Sequence, residues 1–380
     1  MFAGTTAGRR RGAGLPGLWR TAVVPWVVGR VVVLGALAAA RELSARGVLA
    51  PAAAQRVRQG LLGWDAGWYL AIARHGYSGA GHSSLRFFPL VPAAAHVLAM
   101  IPGLRPAAAL VVLSNGAALG ATALLAALAR HESGDEALAR RVAWLSCLAP
   151  PAFTFVMGYA ESTLVALAAG ALLAARRRRW SWAGGLGLLA GLARPLGVLV
   201  AVPLAVEAAR GLQRARGGAR VSRAVAVLGP VVGTGGYLAW VGWRYGDALA
   251  PLSIQETAGH RGSWSDPLST LAHDASLLVH GQHLGQAMHL PWVLLALGLL
   301  AVAVVRWPGS YAAFAAAVLA AALTAANLDG FERYAFSAFP LVLAGGTVTA
   351  GARMERAVLA LAAAGLVAYA VLAFTNVYVP

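Results

Sequence analysis

Residues Trp64 to Tyr77 read WDAGWYLAIARHGY, and RFFPLVP follows from Arg86 to Pro92. The pattern sets one carboxylate, Asp65, among aromatic rings at the edge of apolar chain. Other polar groups stand at the ends of apolar segments: Arg86, Tyr159-Ala160-Glu161-Ser162, Arg194, Gln255-Glu256 and Glu332-Arg333-Tyr334. A positioned carboxylate can take a proton from a hydroxyl. Guanidinium forks match the oxygens of a phosphate. Ionisable groups at membrane depth are costly and point to function. Together these types suit chemistry on a polar group carried by a lipid.

Each residue also has a plainer reading. Asp is a preferred N-cap, so Asp65 can serve simply to start a helix. Trp64, Trp68, Tyr69 and Ile72 would then anchor that helix at the interface. Glu161, placed after Pro150-Pro151, suits the positive end of a helix. Arg194, between Gly191 and Pro195, could pair a buried acid or snorkel. Arg333-Tyr334, before Phe339-Pro340, could be an interfacial anchor. His75 and His82 read as solvated loop residues, and Arg176 to Arg179 as a topology signal. No HxxxH, DxD or DDxxD pattern is present, so no metal is obligatory and none is indicated.

The elements that must hold these groups are apolar. Of 380 residues 59% are hydrophobic and 12% charged, against about 25% charged in soluble chains. Apolar runs near the ~20 residues needed to cross a bilayer recur along the length. The expected class is an all-α polytopic membrane protein. All 31 basic residues are arginine and the net charge is +17. The arginines cluster in short loops, as the positive-inside rule requires, so nucleic acid is excluded as a partner. The lone Cys147 rules out an internal disulfide. The first apolar run begins after Arg20 and lacks a small-residue cleavage pattern, so no cleavable signal is expected.

Charge parity gives the expected organisation. Residues 1–20 form a basic cytoplasmic N-terminus, with Arg9, Arg10, Arg11 and Arg20, and 21–376 form one integral-membrane domain. The first outer loop, 41–106, carries interfacial helices, and 88–103 lies at the interface because it holds two prolines and a histidine. Crossings are expected at 21–40, 107–129, 142–157, 161–175, 224–243, 290–305, 310–327, 336–351 and 357–376. Residues 181–208 have basic flanks on both sides, which demands an even number of crossings. The chain should therefore turn at Arg194-Pro195, as a hairpin with arms too short to cross fully. A second long outer loop spans 244–289. The total is about 11 spans in the cell membrane, with the polar groups gathered on the extracytoplasmic face.

In order along the chain, several pieces resemble one family. They are WDAGWYLAIARHGY, RFFPLVP, LSN (Leu113 to Asn115), APPAFTFVMGYAES (149–162), WSWAGGLGLLAGLARPLG (180–197), WRYGDALAPLSIQE (243–256) and ERYAFSAFPL (332–341). Over residues 60–345 they resemble the bacterial members of the GPI mannosyltransferase 2 (PIG-V-like) family, integral-membrane glycosyltransferases of the GT-C type. The resemblance implies a GT-C bundle, a polyprenyl-phosphate-linked sugar donor, usually mannose, and inversion at the anomeric carbon. Asp65 matches that family's first-outer-loop acid, the expected base, and Glu161 a second catalytic acid. Ala160 departs from the serine common in its YSES-like segment.

On this reading Asp65 and Glu161 are the catalytic residues and share one cavity, with removal from water raising the pKa of Asp65. Arg86, Tyr159, Arg194, Gln255, Arg333 and Tyr334 bind substrate, Arg194 and Arg333 meeting the donor phosphate. The partners are the polyprenyl-phosphate sugar, a lipid or glycan acceptor and membrane lipids. The alternative is a transporter or flippase of a lipid-linked saccharide, which would also use recessed arginines and a broken helix pair. Against it stand the absence of an internal repeat and the gathering of motifs on one side.

Overall fold

A computed structural model describes residues 15–257, 261–280 and 289–378. The arginine run at 9–11 lies outside them. Four helices are long and apolar enough to cross a membrane: α1 (Leu15–Ala45, its qualifying stretch beginning at Trp19), α5 (Pro106–Ser133), α10 (Gly217–Tyr245) and α17 (Ala352–Phe374). Proline opens α5, where its missing N–H costs nothing. Gly134 and Gly246, in the left-handed region at φ 69° and 85°, end α5 and α10, as helix C-termini favour.

Between α1 and α5 stand three short helices: α2 (Pro51–Gln59), α3 (Asp65–Ala80) and α4 (Leu90–Leu98). At nine residues α4 spans roughly 14 Å, too little for a crossing. The central layer follows with α6 (Glu136–Leu148), α7 (Glu161–Arg176), α8 (Trp180–Ala193) and α9 (Ala201–Ala209). After α10 come α11 (Ala250–Ser253), α12 (Pro267–Val279), α13 (Leu290–Arg306), α14 (Gly309–Leu323), α15 (Phe331–Ser337) and α16 (Pro340–Val348).

Two expected crossings are broken into pieces. The segment 142–157 is the end of α6 followed by a 3₁₀ turn, Pro150–Phe155, because Pro150-Pro151 cannot continue the ladder. The segment 336–351 divides at Pro340 for the same reason, α15 ending before it and α16 starting on it. Among the described residues helix length therefore supports four crossings directly, and it leaves the expected total of about eleven unconfirmed.

Residues 181–208 do reverse. Arg194 is extended (φ −159°, ψ 157°), and Pro195–Val200 form a 3₁₀ turn that leads into α9. Arg223, near the start of α10, lies 5.3 Å from the Trp180 ring at the start of α8. Its Nη1 also donates to the carbonyls of Ala208 and Arg210 at the end of α9, both at 2.9 Å. Both ends of the segment thus return to one place. Glycines make the pairing with α10 close: Gly187 faces Pro230, where an added Cβ would stand 2.8 Å from the ring, and Gly191 and Gly233 lie directly on opposing carbonyls.

α7 is buried along nearly its whole length and packs on α5 and α8. Its 16 residues put its two ends roughly 22 Å apart. At the Arg176 end, Arg176 pairs with Glu132 (2.7 Å) and Glu207 (3.2 Å). Ser310 donates to Glu207 at 2.5 Å and Tyr311 to Glu132 at 3.0 Å. This network ties α5, α7, α9 and α14 at one end of the bundle. Midway along the first span, Arg30 Nε donates to Asn115 Oδ1 (2.9 Å) and Nη2 to the Phe155 carbonyl (3.1 Å). Asn115 in turn donates to the carbonyls of Val111 and Val156, each at 2.9 Å.

Candidate active site

At the Glu161 end of α7 the chain encloses a cavity of about 480 Å³. Local geometry aims each charged group at it. Trp64 adopts φ 57°, a region that bulky residues rarely enter. Its indole N–H donates to the Ala373 carbonyl at 3.0 Å, and the Arg56 guanidinium lies 3.8 Å over its ring. That bend starts α3 at Asp65 and turns the carboxylate inward. Arg333 is carried by α15, which begins directly after Gly330 in the left-handed region (φ 70°). Ser114 donates to the Tyr159 carbonyl and Ser162 to the Ser114 carbonyl, both at 2.8 Å. These bonds fix the start of α7 and with it Glu161.

The charges alternate along a line. Asp65 pairs with Arg333 through Oδ2, Arg333 also lies 3.1 Å from Glu161 Oε1, and Arg194 pairs with Glu161. Arg86 lies over the rings of Phe87 (4.8 Å) and Trp68 (5.6 Å). The Tyr334 ring is approached by three guanidinium groups, Arg261 at 4.2 Å, Arg333 at 5.5 Å and Arg194 at 5.6 Å.

Of the residues expected from sequence, Asp65, Arg86, Arg194, Gln255, Arg333 and Tyr334 line the cavity. Glu161 does not. It is 1% exposed and lies behind the wall, beneath Arg194 and Arg333. The shared-cavity expectation is thus corrected: Glu161 touches the arginines and no solvent. Tyr159 is likewise fully buried, its ring 5.5 Å from the Arg333 guanidinium, and it does not line the cavity. The capping role of Asp65 also fails. Trp64 is the N-cap, no side-chain cap bond forms, and the Asp65 carboxylate is spent on Arg333.

Three cavity residues had no distinguishing signal in the sequence: Arg56, Arg261 and Asp329. Two are arginines in a chain with 31 basic residues; Arg56 stands on α2 and Arg261 between α11 and α12, and tertiary packing alone brings them together. Arg261 is held by donation to the Ala322 carbonyl at 2.5 Å. Glu332, next to Arg333, faces away and accepts from Tyr378 (2.7 Å), with His289 Nδ1 at 2.8 Å.

Five guanidinium groups face the cavity against the carboxylates of Asp65 and Asp329, so the lining carries surplus positive charge. Burial acts to raise the Asp65 pKa, but Arg333, then Arg194 and Arg86, outweigh it and hold the carboxyl below its ordinary range. The expectation of a raised value is therefore reversed by the arginines. Burial acts on Tyr334 in the same upward sense, yet Arg261, Arg333 and Arg194 bring its phenol down to about 8. Burial lowers His289, and the opposing Asp329 and Glu332 carboxylates raise it to about 9. Among the described residues no group of three or more His, Cys, Asp or Glu could hold a metal ion. Chemically, the cavity can bind an anion and offers the Asp65 and Asp329 carboxylates beside it.

No protein-family model matches the chain, and no curated protein matches it. Among solved structures it is similar to an oligosaccharyltransferase of Archaeoglobus fulgidus, crystallised with zinc and sulfate. The identity is 14% and the TM-score 0.44, over 77% of this chain and 45% of the other. The chain thus spans less than half the length of that protein.

Proposed function

We propose that the protein is an inverting integral-membrane glycosyltransferase of the GT-C type, with about 11 crossings. On this reading it moves a hexosyl group, mannosyl by the family resemblance, from a polyprenyl phosphate to a lipid or glycan acceptor on the extracytoplasmic face. One observation carries the reading: a single cavity at one end of an apolar helix bundle joins the Asp65 carboxylate to Arg86, Arg194, Arg261 and Arg333.

The step balances within that cavity. The acceptor hydroxyl gives its proton to the Asp65 carboxylate while its oxygen bonds the anomeric carbon. The bond from that carbon to the phosphate oxygen breaks on the opposite face, and its electron pair leaves with the phosphate. The leaving group gains negative charge, which the guanidinium groups stabilise. The resting ion pair suits this order of events. With Asp65 held down by Arg333 it is a weak base until the donor arrives. A donor phosphate competes for Arg333 and Arg194, lifting the basicity of Asp65 as the substrate settles. Glu161 keeps the two arginines in place from behind.

The test is transfer of radiolabelled hexose from a polyprenyl-phosphate donor by purified protein in lipid nanodiscs, compared with Asp65→Asn and Arg333→Gln. Transfer by wild type and its collapse in both variants is expected. Facilitated movement of intact donor between leaflets, with no bond cleaved, overturns the reading in favour of a flippase.

A further inference from the structure

A second recess of about 290 Å³ adjoins the main cavity, lined by Arg56, Gln59, Leu62, Trp64, Gly67 and Trp68. It shares Arg56, Trp64 and Trp68 with the cavity. Its walls come entirely from α2, α3 and the turn between them, with no residue of the α8–α9 turn or of α15, which carry Arg194 and Arg333. Trp64, the N-cap of α3, and Gly67 and Trp68 in its first turn all line the recess. Asp65, which lines the main cavity, follows the shared Trp64 directly in the chain.

The lining differs in chemistry from that of the cavity. Both indoles are held: Trp64 by its bond to Ala373, and Trp68 by stacking on Phe87 at 5.9 Å and 17°. The Arg56 guanidinium is already engaged on Trp64, with Nη1 donating to Gln59 Oε1 at 2.7 Å and Nε to Asn376 at 3.3 Å. Between the indoles Gly67 leaves open space, since an added Cβ would meet only the Leu62 carbonyl, at 3.4 Å. Flat aromatic surface with an amide and guanidinium edge matches a pyranose, which has an apolar C–H face and a rim of hydroxyls. Aromatic bodies with a polar edge suit such a wet, half-apolar ligand. The free volume is near the lower end of ligand pockets, about 300–1,000 Å³, the scale of one ring and not of a long chain.

We propose that this recess is the acceptor subsite and that it takes a neutral pyranose, the terminal sugar of a glycan or glycolipid. The assignment rests on the glycosyltransferase reading, and it places the acceptor hydroxyl on the side of Asp65 away from the phosphate-binding arginines. An inverting displacement requires that disposition.

The probe is methyl α-D-mannopyranoside, with sn-glycerol 3-phosphate as the anionic comparison. Saturation-transfer difference NMR is recorded on protein in a detergent without a sugar headgroup. Ring-proton signals are expected for the pyranoside, falling at least fivefold in Gly67→Leu, which fills the recess, and surviving in Gly67→Ala, whose Cβ has room. Gln59→Ala gives a second route to the same loss should Gly67→Leu not fold. In the transfer assay, Gln59→Ala raises the acceptor KM about tenfold while the donor KM moves less than twofold. Equal pyranoside signals in wild type and both variants, stronger binding of the glycerophosphate, or a donor KM that moves with the acceptor KM would overturn the subsite. Pyranoside binding in the recess without transfer from any polyprenyl-phosphate hexose leaves the recess standing and removes the transferase reading. Transfer that Gly67→Leu and Gln59→Ala leave unimpaired does the reverse.

Discussion

Replacing Asp65 by Asn separates the two jobs its carboxylate holds, partner of Arg333 and candidate base. The amide keeps the size of the side chain and removes its charge. Arg333 is not left alone, because Glu161 Oε1 is 3.1 Å away. The Asp65 side chain is 26% exposed, so the lost pair is partly screened. We expect a stability loss of about 1–2 kcal/mol, below the ~3–5 kcal/mol of a buried charge left unpaired. Turnover should fall by about 10²–10⁴, the usual cost of losing a general base. Donor binding should move the other way. A carboxylate and a phosphate ~6 Å apart repel by roughly 3 kcal/mol at an effective dielectric of ~20. With Arg333 between them about 1 kcal/mol of that remains, so the donor should bind about fivefold tighter in the variant. Single-turnover transfer in nanodiscs, with donor affinity from equilibrium binding of the labelled lipid, reads both quantities. Near-full turnover in Asp65→Asn would refute the base role. Donor affinity weakened tenfold or more would show that Asp65 serves only to hold Arg333.

Three further outcomes are expected. Glu161→Gln removes the shared anion beneath Arg194 and Arg333 at a 1% exposed site, so it should cost about 3–5 kcal/mol by thermal unfolding in detergent and weaken donor binding more than it changes acceptor KM. Asn115→Ala deprives Arg30 of its acceptor and two carbonyls of their donor, a loss of about 2–3 kcal/mol; a melting curve within 0.5 kcal/mol of wild type, on the scale of a neutral surface change, would dismiss this seam. His289, raised to about 9, contributes stability that is full below its unfolded value of about 6.5 and is lost as pH rises through about 9. The loss over that window is at most about 3 kcal/mol, and His289→Gln should flatten it.

Much of the site was legible because ionisable residues are scarce in this chain. Asp65, Arg194 and Arg333 each interrupt apolar sequence, and such interruptions must find partners in the interior. The fold-back at Arg194-Pro195 was legible from charge on both flanks together with a proline. Depth was not. Glu161 and Tyr159 sit within a motif beside the cavity, but which face of a turn meets the wall depends on Ser114 and Ser162 bonding across α5 and α7. Arg56 on α2 and Arg261 between α11 and α12 reach the cavity through tertiary packing that leaves no periodic trace. Helix length alone does not give the number of crossings for a local reason: the Pro150-Pro151 pair and Pro340 split apolar stretches whose summed hydropathy reads as continuous.

The network of Glu132, Arg176, Glu207, Ser310 and Tyr311 has a mechanical consequence. Four helices are laced together roughly 22 Å from the cavity, so the bundle behaves like a fan riveted at its base. At the cavity end the ribs are joined through the ion pairs of Asp65 and Glu161 with Arg333 and Arg194, which a bound anion would compete for. An anion that took up those arginines would loosen the mouth of such a body without loosening its floor. The same rivet works against opening a passage through to the other side.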